Sequence, residues 1–289
     1  KVAKLKEQSF STTTKLVGEA IFAVTGLAGG PSTATRNTIF SNRVRLNFRS
    51  SFTGKDLLLV RLQSRNSNSF AGAASGTNMT RLGFEGSDEN ATTLHRLQYQ
   101  LPVAPTTKVF VEAVGSEFND NYYTFNPEHQ AAGTGAVTRF GRFNPVYRLS
   151  GEGAGIGVDH KFSPGLGFAL SYAVPRVGGL ETANNPTAGN GLFNGSNVLF
   201  SQLTLKPSDD VNLGLIYARA YNSTGTGVSG ANGSTIANNP FSGAPTSANH
   251  YSLAASVNLS KDLILSAWGG LTQAQRETAA GGNADIWNY

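Results

Sequence analysis

From Asn42 to Arg49 the chain reads N-R-V-R-L-N-F-R, and apolar and polar residues alternate without a break. Side chains of a strand point to opposite faces with period 2. Val44, Leu46 and Phe48 therefore share one face, and Arg43, Arg45, Asn47 and Arg49 share the other. One face is oily and the other carries three cations. That division suits a water-filled transmembrane β-barrel, with lipid outside and a polar lumen inside.

The alternation recurs in about twelve segments. The expected lipid-facing residues are Leu16, Ala20, Phe22 and Val24 in the first, with Lys15 and Glu19 opposite. Leu58, Val60 and Leu62 follow in the third, with Arg61, Gln63 and Arg65 inward. The fourth ends on Leu97, Tyr99 and Leu101, with Arg96, Gln98 and Gln100 inward. Val109, Val111 and Ala113 mark the fifth, and the sixth is the small-residue stretch Ala154 to Lys161. Later outward sets are Leu166, Phe168, Leu170, Tyr172; Leu199, Leu203, Leu205; Leu213, Leu215, Tyr217; Tyr251, Leu253, Ala255, Val257, Leu259; and Leu263, Leu265, Ala267, Leu271. A twelfth segment begins near Asp285.

Two kinds of connection alternate between these segments. Short ones carry turn residues: Thr53 to Asp56, Pro102 to Thr107, Ser163 to Gly165, Pro207 to Asp210 and Ser260 to Asp262. Long ones are rich in Gly, Asn, Ser and Ala: Leu27 to Arg36, Asn66 to Asn78, Gly115 to Glu152, Val174 to Gly195, Asn222 to Ala248 and Ala274 to Asn283. Outer-membrane barrels alternate short periplasmic turns with long extracellular loops. Thr80 to Leu101 is too long for one membrane strand and is broken at Ser87-Asp88-Glu89-Asn90. It is read as one strand with an extension or an internal break. A closed barrel pairs its first and last strands, because it has no edge. The expectation is therefore an all-β, transmembrane antiparallel barrel of which about four strands lie outside this chain. Residues 1–8 read as the end of a linker, and residues 9–289 as the N-terminal part of one barrel domain.

Composition narrows the class. No segment approaches the apolar length of a transmembrane helix. Aromatic and β-branched residues are spread through periodic segments, which argues against disorder. The chain has no cysteine, so it is no disulfide scaffold. Net charge is +5. No Lys/Arg run is present, and the arginines alternate with apolar residues inside strands. That distribution favours a basic lumen over a nucleic-acid patch.

The connection Gly115 to Glu152 stands apart from the other loops. It holds the aromatics Tyr122, Tyr123, Phe125, Phe140, Phe143 and Tyr147, the cations Arg139, Arg142 and Arg148, and the acids Asp120 and Glu128. An exposed disordered loop does not need so many aromatics. The expected role is a loop folded into the barrel as a constriction; the alternative is an ordered surface loop. Arg43, Arg45, Arg49, Arg61, Arg65 and Arg96 are the expected lumen cations. Pairing with Glu19, Glu112 or acids of the loop is the structural alternative for them, and any left facing water bias permeation toward anions.

Other motifs carry little. Gly151-Glu-Gly-Ala-Gly-Ile-Gly157 imitates a dinucleotide fingerprint, yet no helix is expected after it. The four histidines, His95, His129, His160 and His250, have no metal-ligand spacing. No nucleophile signature appears. The residues call for no cofactor.

Several motifs together resemble one family. They are F-S-T-T-T-K-L-x-G-E (Phe10 to Glu19), F-x-x-R-V-R-L-N (Phe40 to Asn47), S-F-T-G-K-D-L-L (Ser51 to Leu58), N-M-T-R-L-G-F (Asn78 to Phe84) and R-F-G-R-F-N-P-V-Y-R (Arg139 to Arg148). They resemble the major cyanobacterial outer-membrane porins of the carbohydrate-selective, OprB-like superfamily, often labelled iron uptake porins. The resemblance spans nearly the whole chain. It implies a barrel of about 16 strands, a homotrimer, and an N-terminal S-layer-homology domain that binds cell-wall polysaccharide and lies outside this chain. Neither sugar selectivity nor iron transport follows from it.

The expected function is a passive diffusion channel for small hydrophilic solutes and inorganic ions in the bacterial outer membrane. Its partners would be the lipid bilayer and its solutes, not nucleic acid. Two rivals stand beside it. A soluble all-β binding or adhesion protein would expose a costly apolar face to water. An outer-membrane barrel enzyme would need a Ser/His or Asp/His site.

Overall fold

The computed structural model describes residues 13–29, 37–72 and 74–289. The expected linker at 1–8, the start of the Phe10 motif and most of the first long connection lie outside the described residues. Thirteen strands form one sheet. Twelve of them follow chain order: β1 (Thr14–Thr25), β2 (Ile39–Ser50), β3 (Leu57–Ser67), β4 (Thr93–Ala104), β5 (Thr107–Val114) and β6 (Ala154–Ser163). β7 (Leu166–Val174), β8 (Asn197–Ser208), β9 (Val211–Asn222), β10 (Thr246–Ser260), β11 (Leu263–Arg276) and β12 (Asn283–Asn288) continue the path. The remaining strand, Gly86–Ser87, is a two-residue spur on β3. Every neighbouring pair is antiparallel. No helix is long and apolar enough to cross a membrane among the described residues.

Register puts the expected outward residues beside one another. Leu16 sits opposite Phe48, Phe48 opposite Val60, and Val60 opposite Leu97. Ile156, Tyr172 and Leu199 continue a row further along the sheet, which ends on the cation Arg219. A one-residue slip anywhere would turn that strand's apolar set inward. Aromatic pairs sit at two levels of the belt. Phe52 lies 6.3 Å from Tyr99 near the short turns, and Tyr217 lies 5.4 Å from Tyr251 nearer the long loops.

Two expectations need correction. Thr80 to Thr92 is no strand extension; apart from the Gly86–Ser87 spur it is loop, with a single 3-10 turn at Asn78–Thr80. Short turns and long loops therefore alternate without exception among the described strands. The turn expected from Pro102 is tighter, because β4 runs to Ala104 and β5 starts at Thr107. Pro102 fits there because β3 ends its pairing with β4 at Gln100, so no ladder bond is lost on that side.

The turn between β2 and β3 explains its motif. Asp56 accepts from Thr53 Oγ1 at 2.6 Å, Ser51 Oγ at 2.9 Å, the Thr53 amide at 2.7 Å and Tyr99 OH at 2.8 Å. The Thr53 hydroxyl foremost, with the other donors, holds this carboxyl far below the usual carboxylate range.

The interior of the sheet has two unlike walls. On β2 to β4 the inward positions are Arg43, Arg45, Arg61, Gln63, Arg65, Arg96 and Gln98. On β6 to β10 most of them are small, Gly155, Gly157, Ala169, Ser171, Ala173, Gly214, Ala218, Ala220 and Ala254, set around the larger Phe200, Gln202, Ile216 and His250. The main buried cluster lies on this second wall, where Phe118, Tyr122, Phe125, Phe143, Val146 and Tyr147 of one loop pack on it.

Candidate functional site: a loop folded across the barrel interior

The segment 115–153 leaves β5 and lies against the inner face of the sheet. Its first residues are held by a buried polar knot. Arg96, 1% exposed, donates through Nη2 to Glu112 Oε1 at 2.6 Å and to Asn121 Oδ1 at 2.9 Å. Its Nη1 donates to Asp120 Oδ2. Gln98 Nε2 donates to the same Glu112 and Asn121 oxygens, and Ser116 Oγ donates to Glu112 Oε2 at 2.6 Å. A bulge in β4, where Leu62 pairs with Leu94 while Arg61 pairs with Arg96, makes this possible. The extra residue, His95, leaves two consecutive side chains buried.

Aromatic packing fixes the next stretch. Phe118 stacks on Phe200 of β8 with ring centroids 4.5 Å apart, and Tyr122 stacks on the same ring at 5.5 Å. Tyr122 OH bonds Ser171 Oγ of β7 at 2.5 Å. Tyr147 OH donates to Gln202 Oε1 at 2.7 Å. The small wall is what admits these rings. A Cβ at Gly157 would fall 2.4 Å from Tyr122 OH, and one at Gly214 would fall 2.3 Å from the Phe125 ring.

The loop then reaches the other side. Gly133 lies against Ile21 and Glu19 of β1. On its return the chain pairs with the β3–β4 loop: Gly83 N donates to Val137 O at 2.8 Å, and Arg139 N to Arg81 O at 2.6 Å. Arg142 clamps this junction, donating to Gln130 O at 2.6 Å and Gly83 O at 3.2 Å.

The strand arginines are less free than their spacing suggests. Arg43 pairs with Glu19 at 2.5 Å, and Arg65 with Asp88 at 2.8 Å. Arg61 Nη1 reaches Asp120 at 3.5 Å and Glu117 at 3.9 Å. Arg96 is sealed beneath the loop and does not line open space. Arg45 donates to Gln63 Oε1 at 2.6 Å, and Arg49 is exposed. Of the loop residues, Tyr122 is buried, whereas Tyr123 and Glu128 are exposed. Arg142 and Arg148 lie over the Phe143 ring, 4.9 and 4.5 Å from its centroid. Sequence reasoning left Glu117 unnamed among the loop acids, missed Asp88 as a partner, and missed the small wall. The signal for the wall was present: inward positions of β7 and β9 hold alanine and glycine where a water-filled lumen asks for polar side chains.

Burial and crowding set the charges. Burial, then the neighbouring Arg81, brings Arg139 down to about 10, so it remains a cation at neutral pH. Burial, Arg139 and Arg142 press Arg148 well below the arginine range. Burial pushes the Glu152 carboxyl up, but His95, Arg139, Arg65 and Arg45 outweigh it and hold it low. Glu117 is likewise pushed up by burial and by Glu152, and is brought below the usual range by His95, Arg45 and Arg96.

A charged inner face crossed by a packed loop, backed by an outward apolar belt, is a porin-type architecture. The chain belongs to the carbohydrate-selective porin, OprB family, which matches residues 1–289. An uncharacterized protein of Nostoc sp. is 36% identical over 313 residues, taking in 100% of this chain and 53% of that protein. One of Synechocystis sp. is 32% identical, over 100% of this chain and 52% of its own length. The chain thus spans about half the length of both relatives. Among solved structures, Pseudomonas putida OprB at high pH is similar with a TM-score of 0.48 and 11% identity, over 96% of this chain and 73% of that one.

Proposed function

We propose that the protein is a passive outer-membrane diffusion channel for small hydrophilic solutes and ions, with segment 115–153 as its constriction. Residues 9–289 are then part of one barrel. The single observation that carries this reading is the loop's course: its aromatics bury on the small wall, and Gly133 meets β1 on the other side. A loop so placed narrows whatever passage the sheet encloses. Family membership supports a channel rather than an enzyme. Arg45, Arg49 and Arg61 on the wall, with Arg139 and Arg142 on the loop, give a modest preference for anions. The trimer and the link to cell-wall polysaccharide belong to the same reading.

Purified full-length protein in planar bilayers tests it. Detergent-dependent extraction and stepwise conductance are expected, and removal of Asn126 to Thr138 should raise the conductance. A folded protein that forms no pore would end this reading. Unchanged conductance in a folded deletion variant would make the loop a surface feature.

A further inference from the structure

Where the long loops converge, a cavity of about 440 Å³ opens above segment 115–153. Five arginines line it, Arg65, Arg81, Arg139, Arg148 and Arg176, with three acids, Glu85, Glu117 and Glu152. Most of these charges are satisfied in place. Arg65 pairs with Asp88, Arg81 with Glu85 and Arg176 with Glu181. Glu117 faces Arg61 and Arg96 at 3.9 and 4.0 Å, and Glu152 faces His95 at 3.9 Å. Arg139 and Arg148 have no carboxylate within ion-pair distance among the described residues.

Arg148 is 8% exposed. Its Nη2 donates to the Arg139 carbonyl at 3.3 Å, and its Nε reaches Asn232 at 3.0 Å once that amide is turned to satisfy both ends. Arg139 Nε is buried with no hydrogen-bond partner. Buried guanidinium groups are ordinarily paired, because desolvating an uncompensated cation is costly. Arg148, buried, and Arg139, half-buried, line this cavity with no carboxylate close enough to pair, and an oxyanion entering it would supply that partner to both. Guanidinium offers paired donors suited to the oxygens of phosphate, sulfate or carboxylate, and less suited to spherical chloride. Placement is enforced from above: Gly230 of the β9–β10 loop, at φ +63°, lies so close that a Cβ would fall 2.8 Å from Arg148 Cβ.

We propose that Arg139 and Arg148 form an oxyanion-binding site in this outer cavity, a capture point ahead of the constriction. The site rests on the channel reading for its role in transport, but not for its existence. Inorganic phosphate is the probe. Full-length protein in detergent should bind radiolabelled phosphate saturably in equilibrium dialysis, and excess chloride should compete weakly. Arg139→Gln and Arg148→Lys should each weaken binding about tenfold, the scale of a lost charge-assisted hydrogen bond. Lys206→Ala, which removes a cation at the short-turn end, should leave it unchanged. In bilayers bathed in chloride, phosphate should block the current in a saturable way, and the same two variants should relieve the block.

Glucose 6-phosphate separates the possible sources of the oxyanion. Competition with phosphate at equal or lower concentration means an organic phosphate is accepted, whereas phosphate binding without such competition means an inorganic ion site. Binding without any current would sink the channel reading and leave the site standing. No saturable phosphate binding by wild type, or equal binding by wild type and both folded arginine variants, overturns the proposal.

Discussion

The interior of this sheet is built in two halves that solve opposite problems. On β2 to β4 the inward residues are long and charged, and they meet the loop through ion pairs such as Arg61 with Asp120. On β6, β7 and β9 they are mostly Gly, Ala and Ser, with Phe200 of β8 among them, and they meet the loop through buried rings. The loop is thereby amphipathic about the passage: its aromatics face one wall and its acids, Glu117 and Asp120, face the other. On the proposed channel reading, a sheet that must hold a loop firmly yet keep a wet path needs both surfaces. Packing gives rigidity without charge on one side; charge remains beside water on the other.

The largest effect should come from the joint between the halves. Arg96→Met keeps the length of the side chain but strands Glu112 and Asp120, which are held by the guanidinium. Breaking one partner of a buried ion pair costs about 3–5 kcal/mol. The folded protein should unfold at markedly lower urea in detergent, and its conductance should rise as residues 116–121 come free. A variant as stable as wild type would show that the rings alone hold the loop.

Next comes the small wall. Gly214→Val would push a side chain into the Phe125 ring, and overpacking costs about 1–3 kcal/mol. Gly269 of β11 is the comparison, because a Cβ there meets nothing within 4 Å. Gly269→Val should be close to neutral. The pair is measured by urea midpoint and by single-channel conductance. Equal loss at both positions would mean that glycine matters for strand backbone and not as a seat for the loop.

These two walls were not equally legible in the sequence. Strand faces were, because period-2 alternation reads directly from Val44, Leu46 and Phe48 against Arg43, Arg45 and Arg49. Short turns were too, since turn chemistry is local. The loop's aromatic content announced a packed segment, and Glu19 and Glu112 could be named as acids on the inward faces. Long-range geometry stayed hidden. Pairing of Arg61 with Asp120 depends on how a loop folds back across 59 positions of chain. The bulge at His95 depends on register between strands. The stretch Gly151 to Gly157 read only as small residues, because nothing local says what will sit on them.

On the charged wall the effects should be smaller. Arg45→Gln removes a cation that donates to the neutral Gln63 and acts on Glu117 and Glu152 only from beyond ion-pair distance, so no ion pair is broken. Stability should fall only slightly. Reversal potential in a low-salt gradient should move toward cations, and the change should fade as salt rises, since the Debye length is only about 8–10 Å near physiological ionic strength. A shift of the opposite sign would mean that acids dominate the passage.

The smallest change is expected from moderate acid, and its direction follows from Glu117 and Glu152. Both carboxyls are lowered from 4.5 to about 2. For each, burial pushes the value up and the surrounding His95 and arginines more than reverse it. A depressed value means that ionisation favours the folded state, and this contribution is fully present above pH 4.5. It is lost as pH falls from 4.5 toward 2. The contribution of these two carboxyls should therefore be flat between pH 7 and pH 5, read as the difference in urea midpoint between wild type and Glu152→Gln, and should shrink only below that window. Glu152→Gln should flatten part of the acid limb while leaving the neutral plateau lower. A steep loss of that difference already between pH 6 and pH 5 would show that the arginines do not hold these carboxylates as the geometry requires, and that the charged half of the interior is looser than the packed half.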